Sequence, residues 1–156
     1  MAALSVTTFE FRTPDEIVSV INSILNQFPH LEYAELAISE MMINAVEHGN
    51  LGISYKEKSA LLKTDAVYTE IARRLQDPKY KNRTASIEIK EMDDETVVFI
   101  CDEGDGFAWK DYLDKDLSEA KGLHGRGISL SVQYCKILTY IGNGNKVIAV
   151  FDRAED

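Results

Sequence analysis

One stretch limits the available folds more than any other: Glu35 to Asn50, ELAISEMMINAVEHGN. It has no proline, no internal glycine before Gly49, and many strong helix formers, which predicts a helix. At about 100° per residue, Ala34, Ala37, Ile38, Met41, Met42 and Ala45 share one broad apolar face. Glu40, Asn44, Glu47 and His48 form a narrow polar stripe, with neighbours three and four residues apart. Both margins of the stripe are apolar, Leu36 and Ile43 on one side and Ala37 and Met41 on the other. A solvated helix face broadens into Lys and Glu. A thin polar strip between apolar margins is half-buried, and buried polar groups need partners. Two readings follow: an internal hydrogen-bond network, or a ligand site with a carboxylate and an amide side by side.

The rest of the chain arranges itself around this helix. Residues 4–11, LSVTTFEF, alternate in part and are β-branched and aromatic, which predicts a strand. Thr13-Pro14-Asp15-Glu16 is a helix start, and the helix runs to about Phe28, where Pro29-His30 breaks it. His30, alone in a short connection, is expected to face solvent. Gly49 to Gly52 ends the organising helix. Residues 54–77 carry two mostly charged helical patterns, YKEKSALLK and AVYTEIARRLQD, read as a helical hairpin packed onto the body. A basic connector, Pro78 to Arg83, leads into TASIEIKEM and TVVFICD, an antiparallel hairpin turning at Asp93-Asp94. An acidic segment, Phe107 to Lys121, precedes a glycine cluster that opens a helix, ISLSVQYC. Two closing strands, KILTYIG and KVIAVFD, are joined by Asn143-Gly144-Asn145.

Helices grouped early and strands joined by short turns late predict an α+β two-layer sandwich, with a mostly antiparallel mixed sheet and helices on one face. The 156 residues suit one domain, 1–156, with a helical insert at about 51–83. Apolar runs fall short of the roughly 20 residues that span a bilayer, and the N-terminus lacks the pattern of a signal peptide. Seventeen basic against 26 acidic residues give a net charge of −9, which argues against nonspecific binding to nucleic acid or anionic membrane. Cys101 and Cys135 read as small buried hydrophobes of a reducing, cytoplasmic compartment, and Cys and His show no metal spacing.

Three places carry chemistry. Asp102-Glu103-Gly104-Asp105-Gly106 leaves a buried-looking strand. It is either an ordinary turn or a carboxylate fixed at a pocket floor, where it accepts a hydrogen bond from an exocyclic amine beside glycines that admit a flat ligand. Gly122 to Gly127 ends at a helix N-terminus, where free N–H groups, the helix dipole and Arg126 favour phosphate; otherwise it is a flexible surface loop. It is neither a Walker A loop nor a good dinucleotide fingerprint. His124 reads as a lid residue. On the organising helix, Asn44 offers an amide oxygen suited to magnesium that shares phosphate oxygens, and Glu40 a base for a hydroxyl. Together these describe an ATP site without a P-loop.

Glu40-x3-Asn44-Ala45-x2-His48-Gly49, Asp102-x-Gly104-x-Gly106 and Gly125-Arg126-Gly127 resemble the three sequence boxes of the Bergerat-fold, histidine-kinase-like ATPases. The NAVEHGN ending, short glycine loop and small size look most like the anti-sigma-factor serine/threonine kinases. The resemblance runs from about Glu35 to Phe151, interrupted by residues 51–83. It implies that Glu40 is the general base, that Asn44 holds Mg²⁺, and that Asp102 binds adenine with Gly104 and Gly106 lining the base and ribose. It implies phosphate contacts from Gly125, Arg126 and Gly127, with His48 nearby. Asn145 stands where the family often has Thr near adenine. The implied partners are a small anti-anti-sigma-type protein substrate and a sigma-factor-like client, and the implied assembly a homodimer. Two alternatives remain: a non-catalytic ATP-binding module, and a histidine-kinase catalytic domain, for which His30 is poorly placed. A topoisomerase or mismatch-repair role fits less well, since the chain is acidic and has no transducer domain.

Overall fold

The computed structural model describes residues 3–106 and 135–153. Strand β1, Ser5–Phe11, opens the chain. Helix α1, Pro14–Gln27, starts where its sequence says it should. Thr13 accepts from the Glu16 N–H at 3.1 Å, and the Glu16 carboxylate accepts from the Thr13 N–H at 3.1 Å, a reciprocal cap. A turn of 3-10 helix, Pro29–Ala34, leads into α2, Glu35–Asn44. The insert supplies α3, Tyr55–Lys63, and α4, Val67–Gln76. The hairpin β2, Ala85–Glu91, and β3, Glu95–Cys101, follows, and β4, Ile137–Ile141, and β5, Lys146–Asp152, close the described chain.

The sheet order is β1-β2-β3-β5-β4. All pairings between the described strands are antiparallel, where a mixed sheet was also expected. Strand alternation sends Ala85, Ile87, Ile89, Val98, Ile100, Val147, Ala149 and Phe151 to one buried face. Register aligns these positions: Ile87 faces Ile100, Ile89 faces Val98, and Val98 faces Ala149. Against that face lie Ile17, Val20, Ile21 and Ile24 of α1 and Ile38, Met41 and Met42 of α2, forming one continuous core. The fold is thus the expected α+β, two-layer sandwich.

Two expectations change. The organising helix does not run unbroken to Asn50. It is α-helical to Asn44 and continues as a π-helical turn, Ala45–Asn50, in which the Leu51 N–H reaches back five residues to the Val46 carbonyl at 2.9 Å. His30 does not simply face solvent. Its Nε2 lies 2.8 Å from Thr96 Oγ1 and 3.1 Å from Glu91 Oε1. Glu91 and Thr96 sit opposite one another on the buried sheet face, and Arg153 pairs with the other Glu91 oxygen at 3.1 Å. The buried Glu91 carboxylate needs partners there, and the 3-10 turn delivers His30 as one.

Candidate functional site

The ends of β3 and β5 meet the C-terminal end of α2 in a cleft. Met41, Asn44, Gly49, Asp102, Tyr140 and Asn145 are among its walls. Asp102 follows the last residue of β3, and its N–H donates to the Asn145 carbonyl at 2.9 Å, which ties the strand end to the β4–β5 turn. Its side chain is buried, and Oδ1 accepts from the Gly104 N–H at 2.8 Å. Burial pushes its carboxyl up to about 6. The Gly104 N–H and the Arg83 charge pull the other way, and Glu103 adds to the rise.

Glycines make this arrangement possible. A Cβ on Gly49 would run into the Asp102 carboxylate, and one on Gly104 into the Gly49 carbonyl. Gly106 takes φ 88, a left-handed conformation, and packs against Asn143. The Asp-Gly turn is therefore also a close three-way contact between the π-helical turn, the β3 exit and the β4–β5 turn.

Asn44 lies on the cleft wall beside Tyr140. Burial raises the Tyr140 hydroxyl well above its ordinary pKa, and the Asn44 amide partly offsets this. The Asn44 Nδ2 is nevertheless buried, with no hydrogen bond of good geometry among the described residues. A buried amide and a buried carboxylate on the walls of one cleft offer a donor and an acceptor that a polar ligand could use. The cleft encloses only about 20 Å³. A flat ring the size of a purine would fit only if the surrounding side chains or the β4–β5 turn gave way.

The polar stripe of the organising helix divides. Asn44 stays on the cleft. Glu40 and Glu47 line a different hollow, between α1, α2 and the insert, together with Lys58 of α3. Lys58 Nζ pairs with Glu47 Oε1 at 2.6 Å. Burial raises the Glu40 carboxyl, which the Lys58 charge opposes and the Glu47 charge reinforces. His48 turns toward the insert: its Nδ1 meets the Ile53 carbonyl and its ring stacks on Tyr55, centroids 3.7 Å apart. The π-helical turn rotates Glu47 and His48 away from where 3.6-residue periodicity puts them.

Of the expected site residues, Asn44, Asp102, Gly106 and Asn145 therefore come together at the cleft, with Gly104 packed behind Asp102. Glu40 and His48 lie on neighbouring surfaces. Gly125, Arg126, Gly127 and His124, and most of the helix predicted after them, lie outside the described residues. Tyr140 and Arg83 were not singled out from sequence. The alternation of KILTYIG marks Tyr140 as an inward position, but nothing local ties the connector residue Arg83 to Asp102. The two cysteines are free and half-buried, and burial pushes the Cys135 thiol up to about 12. Among the described residues no group of three or more His, Cys, Asp or Glu gathers to hold a metal, and no helix is long and apolar enough to cross a membrane. Magnesium bound to nucleotide phosphates needs only one or two protein ligands, so the Asn44 amide oxygen fits such an ion. No protein-family model matches the chain, and no curated protein is similar enough to count as a match.

Proposed function

We propose that the chain binds Mg·ATP at the Asp102 cleft and passes the γ-phosphoryl group to a Ser or Thr of a small partner protein, in the manner of an anti-sigma-type kinase. The observation that carries the reading is that one cleft brings together the buried Asp102 carboxylate, its glycine cradle and the Asn44 amide. Asp102 accepts a hydrogen bond from the adenine amine, which discriminates strongly because an unpaired carboxylate here is costly. The Asn44 oxygen would hold a magnesium ion, which would supply positive charge to the phosphates. Glu40, one turn earlier on α2, takes the proton of the attacking hydroxyl. The new oxygen–phosphorus bond forms as the bond to the β-phosphate oxygen breaks, and ADP leaves. Its raised pKa suits a base. The sigma-factor-like client, the homodimer and the cytoplasmic setting belong to the same proposal.

Calorimetry with ATP, with and without Mg²⁺, tests binding. Saturable heat is expected in wild type, lost in Asp102→Ala and made Mg²⁺-independent in Asn44→Ala. Equal binding by all three proteins would overturn the site.

A second reading, ATP as a structural ligand without transfer, is favoured by one observation: Glu40 opens into a hollow separate from the Asp102 cleft, beside Lys58 and Glu47. Radiolabelled γ-phosphate separates the two. Label on Ser or Thr of a copurifying partner, lost in Glu40→Gln, supports the kinase. Tight ATP binding with no label on any partner favours the structural ligand.

A further inference from the structure

Next to the Asp102 cleft, across the Gly49 and Gly106 backbone, the insert builds a second hollow of about 510 Å³, within the size range of small-molecule pockets. Among the described residues, Lys56, Lys79 and Arg83 line it, against one carboxylate, the exposed Asp105. In a chain of net charge −9, such a concentration of positive charge runs against the background. Little of it is spent on close ion pairs among the described residues. Elsewhere on the insert, Arg74 is neutralised by Glu57 and Glu70, each at 2.7 Å. Among the described residues, none of Lys56, Lys79 and Arg83 is within ion-pair distance of a carboxylate.

The hollow is built rather than accidental. Arg83 is held in place by donating to the Asn50 carbonyl at 2.9 Å, and its guanidinium lies over the Tyr80 ring, 5.3 Å from the centroid. Lys79 covers the same ring at 5.2 Å. Tyr80 thus holds two cations at the wall, and the stacked His48–Tyr55 pair supplies a flat opposite surface. Helix α3 begins at this wall, where Ser54, Tyr55 and Lys56 line the hollow.

We propose that this hollow is a binding site for a small phosphate-bearing molecule, distinct from the Asp102 cleft. A fixed guanidinium with two ammonium groups suits phosphate oxygens, and the aromatic walls suit a ring attached to them. The site is wired to its neighbour. The Asn50 residue whose carbonyl receives Arg83 also accepts the Glu103 N–H on its Oδ1 at 2.7 Å, one residue from Asp102. A ligand that draws on Arg83 therefore changes the surroundings of Asp102.

Pyrophosphate, which has no base to seek Asp102, is the probe. It is titrated into the full chain in magnesium-free buffer and followed by backbone amide NMR. Saturable shifts at Gly52, Lys79, Tyr80 and Arg83 are expected, weakened about tenfold or more in Lys56→Glu/Lys79→Glu, since two charge-assisted contacts are lost. Both lysines are exposed, so the double variant keeps the wild-type unfolding midpoint to within a few degrees. The response persists in Asn44→Ala. Absence of saturable shifts, shifts confined to Asn44, Asp102 and Lys146, or an unweakened response in the double variant would overturn the proposal. Failure of ATP to bind leaves this result untouched.

Discussion

At Asp102, a carboxylate is buried with, among the described residues, one backbone donor and one nearby cation to hold it. The folded chain keeps a proton on Asp102 up to about pH 6, while the unfolded chain releases it near 3.8. Within that window the folded state binds more protons, so Asp102 costs stability as pH rises, and the cost is complete above about pH 6. Asp102→Asn keeps an oxygen for the Gly104 N–H and removes the charge. It is expected to be more stable than wild type above pH 6, by up to about 3 kcal/mol, with the difference closing toward pH 4. Urea unfolding of both proteins from pH 4 to 8 checks this. The same group gives the nucleotide reading a pH signature. An adenine amine selects the ionised form, so ATP affinity falls by up to about tenfold per unit as pH drops below 6, and Asp102→Asn loses that dependence. Gly49→Ala forces a methyl against the carboxylate. It is expected to cost about 1–3 kcal/mol and to abolish ATP binding, readable by thermal unfolding and calorimetry.

The π-helical turn and the insert explain how elements were and were not legible. The capping boxes at Thr13 and Ser54 use side chains three residues apart, and both helices begin where those residues stand. The break at Pro29 and the hairpin around Asp93-Asp94 are equally local. The π turn is not local: it satisfies its own backbone while placing Gly49 against Asp102 and Glu47 against Lys58, contacts that span the fold. Periodicity extended past Asn44 consequently misplaces Glu47 and His48. Arg74 braces the insert internally: it reaches Glu57 of α3, Glu70 of α4 and, at 2.9 Å, the Leu51 carbonyl at the root of the insert. Arg74→Ala is expected to lower hydrogen-exchange protection across residues 55–76 by about 1–2 kcal/mol, while amides of β2 and β3 keep theirs. Equal loss in the sheet would mean that insert and body unfold as one unit.

On the scale of the molecule, the helices and the sheet form one core, and the chemistry collects where the C-terminal end of α2 crosses the ends of β3 and β5. Three depressions meet near there: the Asp102 cleft, the basic hollow of the insert, and the Glu40–Lys58–Glu47 hollow. The insert contributes to two of them. A nucleotide in the narrow cleft must open it, so binding is expected to raise the unfolding temperature in proportion to the logarithm of ATP concentration above Kd. Differential scanning calorimetry over a hundredfold range of ATP checks this, and a midpoint independent of ATP would count against the site.

By itself the sequence determined the α+β layering, the strand and helix starts among the described residues, and the candidacy of Asn44 and Asp102, because caps, alternation and turn chemistry act over a few residues. Only the tertiary structure decided that Asn44, Asp102 and Asn145 share a cleft from which Glu40 is set apart. It also decided that His30 serves Glu91, and that connector cations gather around Tyr80. Those outcomes rest on packing between segments tens of residues apart and on the winding of one π turn, which no local pattern encodes.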